Sequence, residues 1–271
     1  MRVQFNGKSI PATPWLAARR INKDANLRLF CFPYAGGGAS IYRAWPSQLP
    51  MVELLPVQLP ARETRLKEAP FTSAASLVRA IGQALLPYLD RPFCFFGHSM
   101  GALLAFELAR ELRREYALSP QHVFVSGRRA PNVALQHGVI HNLPRHTFLE
   151  KLRDLNGSLP AAFEHAELVD LLLPMLKADF AICETYEYKP QEPLDCPISA
   201  FGGLEDRYVQ REHMEGWREQ TRGEFKLRML PGDHFFLHSS QSVLLQVLCR
   251  ELHRLSSTLN GSKGRASASN A

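Results

Sequence analysis

The chain has 271 residues, of which 45% are hydrophobic and 21% charged, and its formal net charge is +6. A chain of this length and apolar content can bury the full core of one α/β domain that carries an insertion. No apolar run reaches the roughly eighteen residues of a membrane-spanning helix, so no membrane segment is expected. The basic residues are scattered rather than clustered, which argues against a nucleic-acid partner.

The cysteines and the N-terminus indicate a cellular compartment. Five cysteines are an odd number and form no C-x-x-C motif, as is typical of proteins from a reducing compartment. The first residues lack the apolar stretch of a secretory signal peptide. We therefore expect a cytoplasmic protein.

Predicted strands and helices alternate along most of the chain, which indicates an α/β fold with a mostly parallel sheet flanked by helices. Residues 1–26 are expected to form a surface leader, and residues 257–271, which are rich in Ser, Gly and Asn, a disordered tail. The core is expected to comprise 27–130 and 191–256. The sequence pattern predicts strands over 27–32, 52–57, 92–96, 122–127, 198–201 and 225–230, and helices over 73–89, 102–114, 210–220 and 239–255.

Residues 131–190, here called the insertion, break this alternation. They contain two predicted helices, 145–156 and 166–184, and no convincing strand. The second helix is rich in leucine and apolar around much of its circumference. A helical insertion at this point of the chain predicts a lid over an active site. A packing insertion without a gating role is the alternative.

The most informative motif is Gly97-His98-Ser99-Met100-Gly101. It follows an apolar strand and precedes a helix with periodic leucines, which is the context of a G-x-S-x-G nucleophile elbow. A serine at this turn lies at the positive end of the helix, where developing negative charge is favoured. A plain turn with a capping serine would not need these flanks. We predict that Ser99 is a nucleophile.

A serine nucleophile needs a base and an orienting acid, and in this fold the chain order is Ser, then Asp or Glu, then His. Among ten histidines, only His234 directly follows the last predicted strand. The acid is Asp206 or its neighbour Glu205, and Asp206 is favoured because it lies at the far side of the glycine turn after strand 198–201. The preceding strand is not followed by a carboxylate until Glu150.

The glycine-rich loop after the first core strand completes the predicted site. Gly36-Gly37-Gly38 lacks the partners of a P-loop or dinucleotide motif, so nucleotide binding is not expected. In a hydrolase this loop supplies a backbone N–H, and we predict an oxyanion hole formed by the N–H groups of Ala35 and Met100. No metal or organic cofactor is implied.

With these residues assembled, the chain resembles the type II thioesterases, the free-standing editing enzymes of polyketide and nonribosomal peptide synthesis. The matching segments occur in family order and span about residues 27–255. Two positions depart from the family pattern: Tyr34 stands where the family usually has His, and Ala61 where it usually has Gly. The matching segments are 29–37, 59–63, 96–102, 178–180, 195–198 and 231–236.

The resemblance implies an α/β-hydrolase fold with a helical lid. It implies a triad of Ser99, Asp206 and His234, with an oxyanion hole from Ala35 and Met100. It also implies hydrolysis of aberrant acyl groups from the phosphopantetheine thiol of an acyl or peptidyl carrier protein. The phosphopantetheine belongs to that partner, so the enzyme itself needs no cofactor.

Three other interpretations stay open on the sequence. Medium-chain thioesterases of fatty acid synthesis look similar and have the same triad. A carboxylesterase could direct the same triad at oxygen esters, although the oxyanion loop is not of the HGGG type. A hydrolase fold kept only as a carrier-binding module is disfavoured by the intact Ser, acid and His.

Overall fold

The computed structural model describes residues 2–5, 8–17, 22, 24–135, 138–156 and 165–268. A short antiparallel hairpin comes first, and six parallel strands follow in one sheet. The fold class predicted from the sequence is confirmed. The strands are β1 (Arg2–Phe5), β2 (Lys8–Pro11), β3 (Arg28–Phe32), β4 (Glu53–Pro56), β5 (Phe93–His98), β6 (His122–Ser126), β7 (Ile198–Gly203) and β8 (Phe225–Leu230).

The strand order across the large sheet is β4-β3-β5-β6-β7-β8. The chain therefore reverses direction across the sheet between β3 and β5, and parallel sheets bind ligands at the carboxyl ends of strands at such a switch point. Every residue of β3 to β7 is buried, which explains why these strands are mostly apolar rather than alternating. A site at the carboxyl ends of β3 and β5 is therefore supported by fully buried strands.

Helices cover both faces of the sheet, and each face has its own core cluster. Helices α1 and α2 pack on one face through residues such as Leu77, Ile81 and Leu104. Helix α7 packs on the other through Leu244 and Leu248. These core helices are α1 (Ala74–Leu85), α2 (Met100–Tyr116), α5 (Arg211–Glu215), α6 (Phe236–Ser239) and α7 (Gln241–Ala268).

The insertion contributes helices α3 (Arg145–Asn156) and α4 (Ala166–Glu184), with the bounds that the apolar periodicity predicts. They share a third cluster, here called the insertion cluster, whose one member from the core is Ala61. Parts of the predicted leader, insertion and tail lie outside the described residues. The buried members of the insertion cluster are Ala61, Ile140, Phe148, Leu152, Met175 and Leu176.

Some helix ends differ from the prediction. Helix α1 stops at Leu85 and is followed by a 3-10 turn, because Pro87 has no N–H to continue the α-helical ladder. Helix α7 continues to Ala268 instead of ending near Leu255. The Asn26 side chain donates to the Ser256 carbonyl and to Asn260 Oδ1, which holds the extended part of α7 against the core. Residues 257–268 are thus helical, where a disordered tail was expected.

The leader is tied to the core after its hairpin. Leu16 bridges Val57 in antiparallel fashion, and Gln58 N donates to the Trp15 carbonyl at 2.8 Å.

Within the described ranges, no helix combines the length and the apolar character needed to cross a bilayer.

Candidate active site

Ser99 lies at the tight turn between β5 and α2, with φ 53° and ψ −114°. This is a conformation that non-glycine residues rarely adopt, and such strain is concentrated at functional sites. The turn is held by a hydrogen bond of 2.7 Å from Ser99 N to the Ser126 carbonyl. A Cβ on Gly97 would lie 2.0 Å from the Gly101 carbonyl oxygen, and a Cβ on Gly101 would lie 2.1 Å from that of Phe32. Both glycines of the elbow are therefore required sterically.

His234 and Asp206 form a short hydrogen bond beside this turn. His234 Nδ1 lies 2.6 Å from Asp206 Oδ2. Because a carboxylate only accepts, Nδ1 carries the proton and leaves Nε2 able to take another. Asp206 Oδ1 accepts from the N–H groups of Tyr208 and Val209, at 3.0 Å each. The structure thus makes Asp206 the residue that orients His234.

The electrostatics of Asp206 favour its charged form. Its side chain is nearly buried, and burial raises its pKa. The hydrogen bond and charge of His234 and the two backbone N–H groups outweigh burial, so the pKa lies below its ordinary value. The competing candidate Glu205 is exposed, and its backbone N–H is bonded to the Gly232 carbonyl.

His98, next to the nucleophile, is a further site residue, although the elbow motif leaves its position variable. Its ring is fully buried; Nε2 donates to the His234 carbonyl and Nδ1 accepts from Ser126 Oγ, both at 2.9 Å. Burial lowers its pKa well below the ordinary value, and His234 adds to this, so the ring is neutral. Its centroid lies 5.3 Å from that of His234. The sequence does carry a signal for this role, because His98 is a polar residue at the end of an otherwise apolar strand. A buried polar ring needs hydrogen-bond partners, and these partners belong to the site.

Two backbone donors complete the arrangement. Met100 is the first residue of α2, where N–H groups have no partner within the helix. The N–H of Ala35 lies in the loop after β3, and neither N–H donates a hydrogen bond to another described residue. Phe32 at the end of β3 pairs with Gly97 near the end of β5. Both donors therefore lie at the carboxyl ends of these two neighbouring strands.

The side chain of Tyr34 packs against His98, the residue next to the nucleophile. Its hydroxyl is 3.0 Å from His238 Nε2, and its ring makes edge-to-face contacts with Phe235 and His98 at 5.2 and 5.9 Å. Burial raises the pKa of Tyr34 and lowers that of His238, so this pair is neutral. The Tyr34 departure from the family pattern is thus accommodated by a hydrogen bond to His238.

The site combines a strained serine, an oriented imidazole and unpaired N–H groups. Within the described part of the chain, Ser99 Oγ makes no hydrogen bond. The hydrogen bond between a catalytic serine and its histidine is often long without substrate and tightens only when substrate binds. The arrangement suits acyl transfer, in which a nucleophile attacks a carbonyl and the resulting oxyanion is stabilised by fixed donors.

Comparison with known proteins assigns a family. Residues 27–255 match the family model of the thioesterase domain. A Brevibacillus parabrevis protein named linear gramicidin dehydrogenase LgrE is 48% identical over 238 residues, which are 86% of this chain and 90% of that protein. Its name denotes redox chemistry, unlike the description of the family model.

Two solved structures are similar in fold and carry thioesterase names. RedJ, a thioesterase from the prodiginine biosynthetic pathway in Streptomyces coelicolor, is 44% identical with a TM-score of 0.78, over 84% of this chain and 86% of that chain. YbtT, a type II thioesterase from the yersiniabactin NRPS/PKS biosynthetic pathway, is 28% identical with a TM-score of 0.77, over 87% of this chain and 96% of that chain. The chain therefore belongs to the thioesterase family, as a hydrolase of thioesters with the α/β-hydrolase fold.

Proposed function

We propose that this enzyme is a type II thioesterase that removes aberrant acyl groups from the phosphopantetheine thiol of acyl or peptidyl carrier proteins. The observation that carries the proposal is the 2.6 Å bond between His234 and Asp206 beside the strained Ser99. The name and pathway of YbtT support the substrate class. The partner is then a carrier protein of a polyketide or nonribosomal peptide synthase.

The mechanism follows from these groups. Ser99 Oγ attacks the thioester carbonyl while His234 Nε2 takes its proton, and Asp206 holds the imidazole and stabilises its charged form. The N–H groups of Ala35 and Met100 stabilise the tetrahedral oxyanion. The C–S bond breaks, and the thiol leaves with the proton from His234. Water, deprotonated by His234, then attacks the acyl-Ser99 ester and releases the acid.

The charge and the cysteines fit this proposal. The net charge of +6 favours approach of an acidic carrier domain. All five cysteines are free thiols, as expected for an enzyme working in the cytoplasm. The phosphopantetheine arrives on the carrier, so the enzyme holds no organic group of its own.

The name of the Brevibacillus relative, a dehydrogenase, raises redox chemistry as a second candidate. Hydride transfer in such enzymes is commonly carried by a nicotinamide cofactor. The glycines at 36–38 do not form the G-x-G-x-x-G pattern that binds dinucleotides. A redox enzyme would oxidise NADPH in the presence of an aldehyde, and this oxidation would not require Ser99. Absorbance of NADPH therefore distinguishes the two candidates.

The deciding experiment compares acetyl-, hexanoyl- and decanoyl-loaded carrier protein with the matching free thioesters and oxygen esters. For Ser99→Ala we expect turnover to fall by about 10⁴-fold or more, because the nucleophile is lost, with unchanged circular dichroism and carrier binding. A Ser99→Ala variant with wild-type turnover would refute the triad.

The substrate profile separates the remaining alternatives. Faster turnover of carrier-bound short acyl groups supports an editing enzyme. A preference for decanoyl with indifference to the carrier indicates a medium-chain-releasing thioesterase. Equal turnover of oxygen esters indicates a carboxylesterase.

A further inference from the structure

The loop after β3 has its peptide groups fixed one by one. Gly37 N donates to the Tyr34 carbonyl at 2.9 Å. The Tyr34 carbonyl and the Ala35 N–H belong to one planar trans peptide and point in opposite directions, so this bond turns the Ala35 N–H away from the loop. The next peptide is fixed by Asp179, whose Oδ2 accepts from Gly36 N at 2.8 Å.

Asp179 does not belong to the sheet domain but to α4 of the insertion. Its carboxylate is 1% exposed and also forms a two-bond pair with Arg62, at 2.8 Å for each oxygen. Arg62, itself 5% exposed, donates further to the carbonyls of Gly37 and Pro60, at 3.0 and 3.1 Å. A buried carboxylate and guanidinium of this kind cannot be separated without leaving an uncompensated charge.

A second contact joins the same helix and loop. Gly36 has φ +81°, and a Cβ built on it would lie 2.7 Å from Leu176 Cδ2, one turn before Asp179 on α4. The loop conformation and the seating of α4 are therefore linked by an apolar contact as well as by the charged pair.

We propose that Asp179 and Arg62 are positioning residues, through which helix α4 of the insertion sets the loop that presents the Ala35 N–H to the oxyanion. This inference rests on the proposed function. Stabilisation of the oxyanion then depends on the packing of α4 against the loop after β3. Neither side chain touches the reacting atoms, since both act through the backbone of Gly36 and Gly37.

The test is Asp179→Asn, which keeps the shape but removes the charge. An NH2 group then replaces one of the two oxygens that accept from Arg62 and Gly36, and this NH2 faces the Arg62 guanidinium without an acceptor. Loss of one oxyanion donor predicts a fall in kcat of about 10²-fold with KM changed less than about threefold. Hexylboronic acid, which forms a tetrahedral adduct with the serine, should inhibit the variant with a Ki weaker by a similar factor. Active-site titration counts the folded fraction, so a loss of folded enzyme alone would leave this Ki unchanged.

Glu53→Gln is the matched control. Glu53 Oε2 pairs with Arg28 Nε at 2.8 Å, and both side chains are fully buried. They lie at the amino ends of β4 and β3, whereas the active site lies at the carboxyl ends of the strands. This variant should lose stability while its kcat and boronate Ki per folded enzyme stay at the wild-type values. A loss of stability in Asp179→Asn with wild-type kcat and Ki would overturn the inference.

Arg62→Lys decides the question if Asp179→Asn does not fold. It keeps the charge opposite Asp179 but loses the second bond and the contact to the Gly37 carbonyl. We expect kcat to fall by about tenfold or more at unchanged KM, and a wild-type kcat would again refute the inference. If wild-type enzyme is no faster than Ser99→Ala on any thioester, the proposed function fails instead.

Discussion

The side chain of His98 links the nucleophile strand to the neighbouring strand and to the loop of the base. It joins Ser126 on β6 to the carbonyl of His234, so one buried ring holds the base next to the nucleophile strand. The neighbouring Gly127 leaves room for it, since a Cβ there would lie 2.6 Å from the His98 ring. His98 is thus a structural support for His234.

Replacing His98 by Leu should therefore affect both stability and rate. The Ser126 hydroxyl and the His234 carbonyl would lose their partners, at a cost of about 1–3 kcal/mol for each buried group. We expect a lower urea midpoint and a lower kcat, because His234 is no longer held. His98→Gln, which can donate to the same carbonyl, should recover part of both. Wild-type kcat in His98→Leu would contradict this role.

Ala61 is the second departure from the family pattern. Its φ is +64°, in the region that favours glycine. Its side chain is nearly buried in the insertion cluster, beside residues such as Met175 and Leu176. The methyl group thus adds apolar contact to the insertion, and this offsets part of the backbone strain.

At the scale of elements, the insertion has its own small core. Phe148 is fully buried there and makes an edge-to-face contact with Phe180 of α4 at 5.6 Å. This cluster is separate from the two clusters that flank the sheet, whereas the end of α4 packs on the sheet domain through Ile182. We therefore expect α3 and the start of α4 to loosen without unfolding the sheet, while the end of α4 stays packed.

Phe148→Ala tests this independence. Removing the ring should cost about 3–5 kcal/mol within the insertion. We expect faster amide hydrogen exchange in α3 and the start of α4, with exchange in β5 close to that of the wild type. Leu248→Ala in the cluster under α7 is the control, since it should accelerate exchange in the sheet. Equal acceleration of all elements by Phe148→Ala would show that insertion and sheet unfold as one unit.

At the scale of the whole molecule, buried neutral histidines couple stability to pH. His122 at the start of β6 is 1% exposed, is hydrogen-bonded to Ser199 Oγ at 2.9 Å and stacks on Phe124. Burial, with help from Lys226 and Arg254 and against Glu251, lowers its pKa to about 3. In the unfolded chain this histidine binds a proton below about pH 6.5. The unfolded state then holds more protons, so stability must fall as pH falls.

The expected slope can be measured. His122 alone should remove about 1.4 kcal/mol of unfolding free energy for each pH unit between about pH 6 and pH 4, and His98 acts in the same direction. In His122→Gln the urea-derived free energy of unfolding should fall less steeply with acid, by that amount per unit. An identical slope in wild type and variant would contradict a neutral buried His122.

Much of this protein follows from its sequence alone, because the relevant signals are local. Apolar periodicity predicts α3 and α4 with their observed bounds. The nucleophile elbow can be recognised from the sequence because its tight turn admits only glycine at positions 97 and 101. The chain order of serine, acid and histidine singles out His234 without any knowledge of distances.

The tertiary structure decided what depends on distant parts of the chain. It selects Asp206 over Glu205, because only one of two adjacent carboxylates turns inward to His234. The partners His98 and His234 are 136 residues apart, and Arg62 and Asp179 are 117 apart. No local pattern encodes such contacts, since they exist only when packing brings an insertion helix and a loop together and removes water from their charges.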